Sequence, residues 1–165
     1  KSGRESMLFA KKAMELQPHA LEGNYYYAFS LSQYSIGVGS FMTITKGLDR
    51  KFEKHMHIAY NLNKYYDNAG PLRGLGRYYY YLPWPKKDLK KSIQYLKEAV
   101  AYTPNNIRSH VYLAESYLEL GKNQLARTYL QKAVNTSPDL KQEVDAKRWK
   151  ERAAELLLTL NSSLE

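Results

Sequence analysis

LAESYLELGKNQLARTYLQKAVNTSP, residues Leu113–Pro138, carries the pattern that decides the fold. Apolar and small residues recur on both sides of Gly121, with Leu113, Ala114 and Tyr117 before it and Ala126, Leu130 and Ala133 after it. Spacings of three and four place each set on one face of a helix. The spacing therefore predicts two amphipathic helices, A and B, joined by a glycine turn and packed against each other. Ala114 and Ala126 let the helices approach closely, Tyr117 and Leu130 fill the space between them, and Gly121 supplies the turn. Pro138 stops helix B and starts the next helix.

Thirty-four residues before Pro138 stands Pro104, and Ser92, Leu96 and Ala99 precede it at the offsets of Ala126, Leu130 and Ala133. Its helix A is Pro71 to Tyr81, with Leu75, Gly76 and Tyr79 in the diagnostic positions. The order Leu-small, aromatic, Ala, large apolar, Ala, Pro resembles the tetratricopeptide repeat, a helix pair that stacks on its neighbours. A third, divergent unit has Tyr27, Ala28 and Leu31 on helix A and Phe52, Met56 and Ala59 on helix B. A long insert around Ser35–Ser40 separates them and is either a loop or an extension of both helices. Ser6, Ala10, Ala13 and Pro18 read as a helix B without its helix A, so the array is expected to continue before Lys1.

The resulting expectation is an all-α, right-handed α-solenoid of antiparallel helix pairs. Residues 1–18 form the second helix of a truncated repeat, 19–66 a divergent repeat with an insert, 67–104 a repeat with a Pro-Trp-Pro loop, and 105–138 a regular repeat. Residues 139–160 form a capping helix, apolar at Leu140, Val144, Ala153, Leu156, Leu157 and Leu160 and charged elsewhere. Residues 161–165 are a tail whose Leu164-Glu165 reads as a cloning scar. The loop Leu82–Lys87 holds two prolines that cannot sit inside a helix, and it is expected to be ordered with Trp84 folded back over its helix pair.

The chain has 165 residues, 44% of them hydrophobic, and a formal charge of +9. It is long enough to bury one continuous core. No apolar run approaches the eighteen or so residues of a membrane span. The positive balance favours an acidic partner without naming it. There is no cysteine, which excludes a disulfide framework, thiol catalysis and thiolate metal sites.

Gly70-Pro71-Leu72-Arg73-Gly74-Leu75-Gly76-Arg77-Tyr78-Tyr79-Tyr80-Tyr81-Leu82-Pro83-Trp84-Pro85 is similar to a signature of bacterial tetratricopeptide lipoproteins, the T components associated with tripartite ATP-independent periplasmic transporters. That resemblance, over roughly Leu21 to Val134, implies a periplasmic or lipid-anchored location and association with a solute-binding protein.

The same glycines do not form a phosphate loop, because no strand precedes them and no Lys-Ser or Lys-Thr follows. His55 and His57 are two apart on a helix and diverge, whereas a helical metal pair needs a spacing of three or four. His19 and His110 have no carboxylate or serine at a catalytic spacing. Asn135-Thr136-Ser137 and Asn161-Ser162-Ser163 match the glycosylation sequon by chance. The reading is a protein without catalytic residues, metal site or cofactor.

The chain has sixteen tyrosines, more than a core needs. Helix A positions flanking the Leu-small pair face the concave groove of a tetratricopeptide array. They place Tyr25, Phe29, Arg73, Arg77 and Tyr80 on that surface, joined by Arg108, Val111, Glu115 and Leu118. Arg73 and Arg77 are four apart and cannot neutralise each other, so an anion site beside tyrosines is one reading. Pairing of Arg77 with Glu115 is the other. The sequence thus points first to an interaction module binding a protein partner through this groove, and second to a site for a small anionic or amphipathic solute. Binding of single-stranded RNA ranks last, because Val111 and Glu115 do not repeat the two arginines and helical-repeat readers use the same positions in every unit.

Overall fold

The computed structural model describes residues 2–38, 47–138 and 143–162, and among them all regular structure is helical. The elements are α1 (Ser2–Leu16), α2 (Leu21–Val38), α3 (Leu48–Asn63), α4 (Tyr66–Tyr81), α5 (Leu89–Tyr102), α6 (Ile107–Glu119), α7 (Asn123–Asn135) and α8 (Glu143–Ser162). Consecutive helices pack in pairs, as in an α-solenoid. The chain divides into two compact units, residues 1–75 and 76–165, with the boundary inside α4.

In the first unit, α2 packs on both α1 and α3. Met7, Ala10 and Met14 of α1 cover Tyr27, Leu31 and Leu48. Tyr27, Ala28 and Leu31 are buried on α2, as are Phe52, Met56 and Ala59 on α3. These are the positions the periodicity assigned to the helix–helix contact. α2 continues to Val38, so the first part of the expected insert extends the helix; residues 39–46 lie outside the described residues. Asn24 and His55 add a polar pin between α2 and α3. His55 Nδ1 lies 2.8 Å from Asn24 Oδ1, while Asn24 Nδ2 donates to the carbonyls of Pro18 and Ala20. The amide oxygen can only accept, so Nδ1 carries the imidazole proton. His57 instead packs edge-on against Tyr60, 6.3 Å between ring centres.

The second unit follows the repeat more regularly. Leu96, Leu113, Ala114, Ala126, Leu130 and Ala133 are fully buried in one core, which α8 completes with Ala146, Ala153 and Leu160. Each large aliphatic side chain so buried contributes about 1.5–3 kcal/mol. The close approach of α4 to α5 requires Gly76, where a Cβ would lie 2.6 Å from Leu96 Cγ. Ser92 and Ser116 share a buried hydrogen bond of 2.9 Å at the α5–α6 contact. Helix ends are capped locally: Asp88 accepts from the Lys91 amide and Asn106 from the Ser109 amide. Gly121 takes a left-handed φ of 68° and ends α6, with its amide donating to Leu118 and that of Lys122 to Tyr117.

α8 begins at Glu143, and residues 139–142 and 163–165 lie outside the described residues, including the expected start of the cap and the Leu164-Glu165 tail. The expectation for Trp84 is corrected. Backbone bonds from Lys86 and Lys87 to the Pro83 carbonyl and from Asp88 to that of Tyr79 close Leu82–Lys87 into a tight turn. Leu82 is the buried anchor of this turn, and Trp84 stands 89% exposed. The backbone bonds that close the turn leave the indole on its solvent side.

Candidate functional site

Of the nine residues expected to line a groove, the first unit holds Tyr25, Phe29 and Arg73, and the second holds Arg77, Tyr80, Arg108, Val111, Glu115 and Leu118. Val111 is instead fully buried in the second unit's core, and Leu118 packs against that core. Tyr25 is buried, and its hydroxyl donates to Asp67 Oδ2 at 2.6 Å. Its ring passes so close to α4 that a Cβ on Gly70 would sit 2.3 Å from the hydroxyl oxygen. Burial first, and then the bond and charge of Asp67, push its ionisation well above the usual tyrosine range. Tyr25 is therefore a neutral, fixed support, which corrects its reading as a groove-facing contact.

An aromatic platform is built on that support. Tyr26 and Tyr66 meet the Tyr25 ring edge-on at 5.3 and 5.2 Å, and Phe29 stacks on it at 6.5 Å. Tyr26 is 49% and Phe29 43% exposed. The Tyr66 hydroxyl approaches that of Tyr26 at 3.5 Å, and this hydrogen bond is the main reason its ionisation is pushed up to about 12. Tyr26 and Tyr66 were missed in the sequence. Tyr26 is the middle of three successive tyrosines on one helix, and the 100° step between helical neighbours turns it away from the face that buries Tyr27.

Arg73 binds main chain, donating to the carbonyl of Asn68 and, at 3.1 Å, to that of Asp67. Those carbonyls belong to a left-handed turn in which Asp67, Asn68 and Ala69 have φ of 49°, 55° and 63°. Such a conformation costs about 1–2 kcal/mol per non-glycine residue. It persists because Arg73 holds the carbonyls, Tyr25 holds the Asp67 side chain, and the Ala69 amide donates to Tyr65. The premise that Arg73 is an uncommitted cation is corrected.

In the second unit Arg77 takes the second of its two expected readings, pairing with Glu115 in place of an open anion site. Its Nη1 lies 2.6 Å from Glu115 Oε2, with both side chains largely shielded from solvent. The other Glu115 oxygen accepts from Arg152 Nε at 3.2 Å and Nη2 at 3.1 Å. Burial works against the Arg152 charge, but the Glu115 bond and charge outweigh it and hold its ionisation above the usual arginine value. The Arg77 guanidinium also lies 4.6, 4.2 and 4.3 Å from the ring centres of Tyr80, Tyr81 and Tyr112. Arg108 pairs with Asp145 and sits over Trp149, which meets Tyr112 edge-on at 5.1 Å. Asp145, Trp149 and Arg152 all come from α8. Charges assigned to a groove thus seat the last helix. Arg152 was missed because, with only one helix in view, its charge reads as solvent-facing.

The family model described as regulator of microtubule dynamics protein 1-3 matches residues 2–161. The chain belongs to that family. A search of the curated proteins found no match. The family's helical repeat-like architecture agrees with the paired helices, but it gives no support to the transporter-associated lipoproteins that residues 70–85 resemble, nor to a periplasmic location.

Proposed function

We propose that this chain is a non-catalytic helical module that binds a protein partner, and that the aromatic platform Tyr26-Phe29-Tyr66 is its contact surface. The observation that carries the reading is a set of ordered aromatic side chains held half in solvent by a buried, hydrogen-bonded tyrosine. Aromatic residues dominate interface energetics, and pre-ordering them lowers the entropy lost on binding. Within this reading Tyr25 and Arg73 support the surface, Arg77, Tyr80, Arg108 and Glu115 serve the packing of the second unit, and Phe29 alone of the expected residues touches the partner. A small anionic solute is disfavoured, because both arginines expected to hold it are engaged by this chain's own acceptors.

The family's description makes the microtubule the first partner to test. Sedimentation with polymerised tubulin should carry the chain into the pellet, and Tyr26→Ala with Phe29→Ala should weaken binding by about tenfold or more, in line with the loss of two interface aromatics. Arg77→Lys should leave it unchanged. Pelleting unaffected by the aromatic pair would sink the site, and no pelleting at any concentration would remove the microtubule as partner.

A further inference from the structure

The turns at one end of the second unit carry apolar side chains that the core does not use. Trp84 is at the tip of the α4–α5 turn, with Tyr81 65% exposed just before it. Leu120, at the neighbouring α6–α7 turn, is also exposed. The two turns are joined by Lys87 Nζ and Glu119 Oε1, 2.5 Å apart. Lys86, Lys90 and Lys122 are exposed around them. The nearby acids are committed, Glu119 to Lys87 and Asp88 to the Lys91 amide at the start of α5. The edge is therefore positive and studded with projecting apolar groups.

We infer that this edge docks on an anionic membrane surface, with the Trp84 indole entering the interfacial layer and the lysines contacting lipid phosphates and carboxylates. Three features favour a bilayer over a protein. The apolar groups project from turns instead of lining a cleft, so they suit a surface that yields around them. They are spread over two turns and interleaved with lysines, which matches a laterally mobile field of negative charge. The most exposed of them is a tryptophan, whose amphipathic ring favours the boundary between water and hydrocarbon. The turn's backbone bonds to Pro83 and the buried Leu82 hold the indole out beforehand, so little order is lost on docking. The inference is independent of the aromatic platform of the first unit.

Flotation of the whole chain with vesicles of phosphatidylcholine containing about one-third phosphatidylserine tests it, with phosphatidylcholine alone as the control. The chain should float with the anionic vesicles only, and less as salt is raised. Trp84→Ala should lower the bound fraction by about tenfold, as should Lys90→Glu with Lys122→Glu, with circular dichroism and thermal midpoint unchanged because these residues are exposed. Tyr26→Ala with Phe29→Ala should still float normally, which separates this edge from the proposed protein contact. Failure to float with anionic vesicles, or flotation indifferent to both sets of substitutions, would overturn the inference. So would capture by polyglutamate beads without flotation, which would assign the edge to an acidic protein.

Discussion

The two units use the same helix-pair plan and spend their polar and aromatic residues differently. In the second, the charged residues of α4 and α6 are engaged by each other and by α8: Glu115 lies between Arg77 and Arg152, and Arg108 meets Asp145. In the first, polar groups are used underneath the surface. Tyr25 holds Asp67 and Arg73 holds the left-handed turn, while Tyr26 and Phe29 remain partly in solvent. Equivalent repeat positions thus become internal fastening in one unit and a prepared surface in the other. The difference comes from what packs on the helix, not from the residue's place in the repeat.

Removing the fastening should have the largest effect. Glu115→Ala leaves Arg77 facing a shielded space without its anion and frees Arg152, and breaking a buried pair from one side costs about 3–5 kcal/mol. Arg152 is half exposed and so contributes at the low end. Urea unfolding followed by Trp149 fluorescence should show the loss, and an unchanged midpoint would mean that the triad is decorative. Next come the glycines. Gly70→Ala must displace the Tyr25 ring and Gly76→Ala the Leu96 side chain, each overpacking by about 1–3 kcal/mol. Gly70→Ala should also lower partner binding by disturbing the platform, whereas Gly76→Ala should not. Equal effects on binding would break the comparison.

A smaller effect is expected from acid. Burial lowers the ionisation of His55 in the first unit and His110 in the second below the usual 6.5. Between the folded and unfolded values the unfolded chain binds more protons, so stability is full above pH 6.5 and declines as pH falls through that value. His55→Gln, which retains a side-chain donor for Asn24, should flatten part of that decline. A thermal midpoint that rises on acidification would contradict the sign.

Much of the fold was legible because helical spacing is a local property. Leu113, Ala114, Leu130 and their equivalents report their own burial through their period, and Gly76 reports a close contact through its size. The site was less legible because its features depend on distant partners. Nothing near Arg77 shows that Arg152, 75 positions later, will complete its neutralisation through Glu115. The left-handed turn at Asp67–Ala69 has no glycine to announce it, since Arg73 and Tyr25 supply the restraint from outside. Trp84 was misread for a related reason: two prolines mark a turn but do not determine which side of it the indole takes.

The central claim is that the first unit offers the prepared surface and the second has closed its own. Hydroxyl-radical footprinting with and without polymerised tubulin tests it residue by residue, because oxidation follows side-chain exposure. The account predicts that oxidation of Tyr26 and Phe29 falls several-fold on binding, while Tyr112, already packed against Arg77 and Trp149, is unchanged. Unchanged Tyr26 and Phe29 with new protection at Tyr112 or Tyr80 would contradict it and return the contact surface to the second unit.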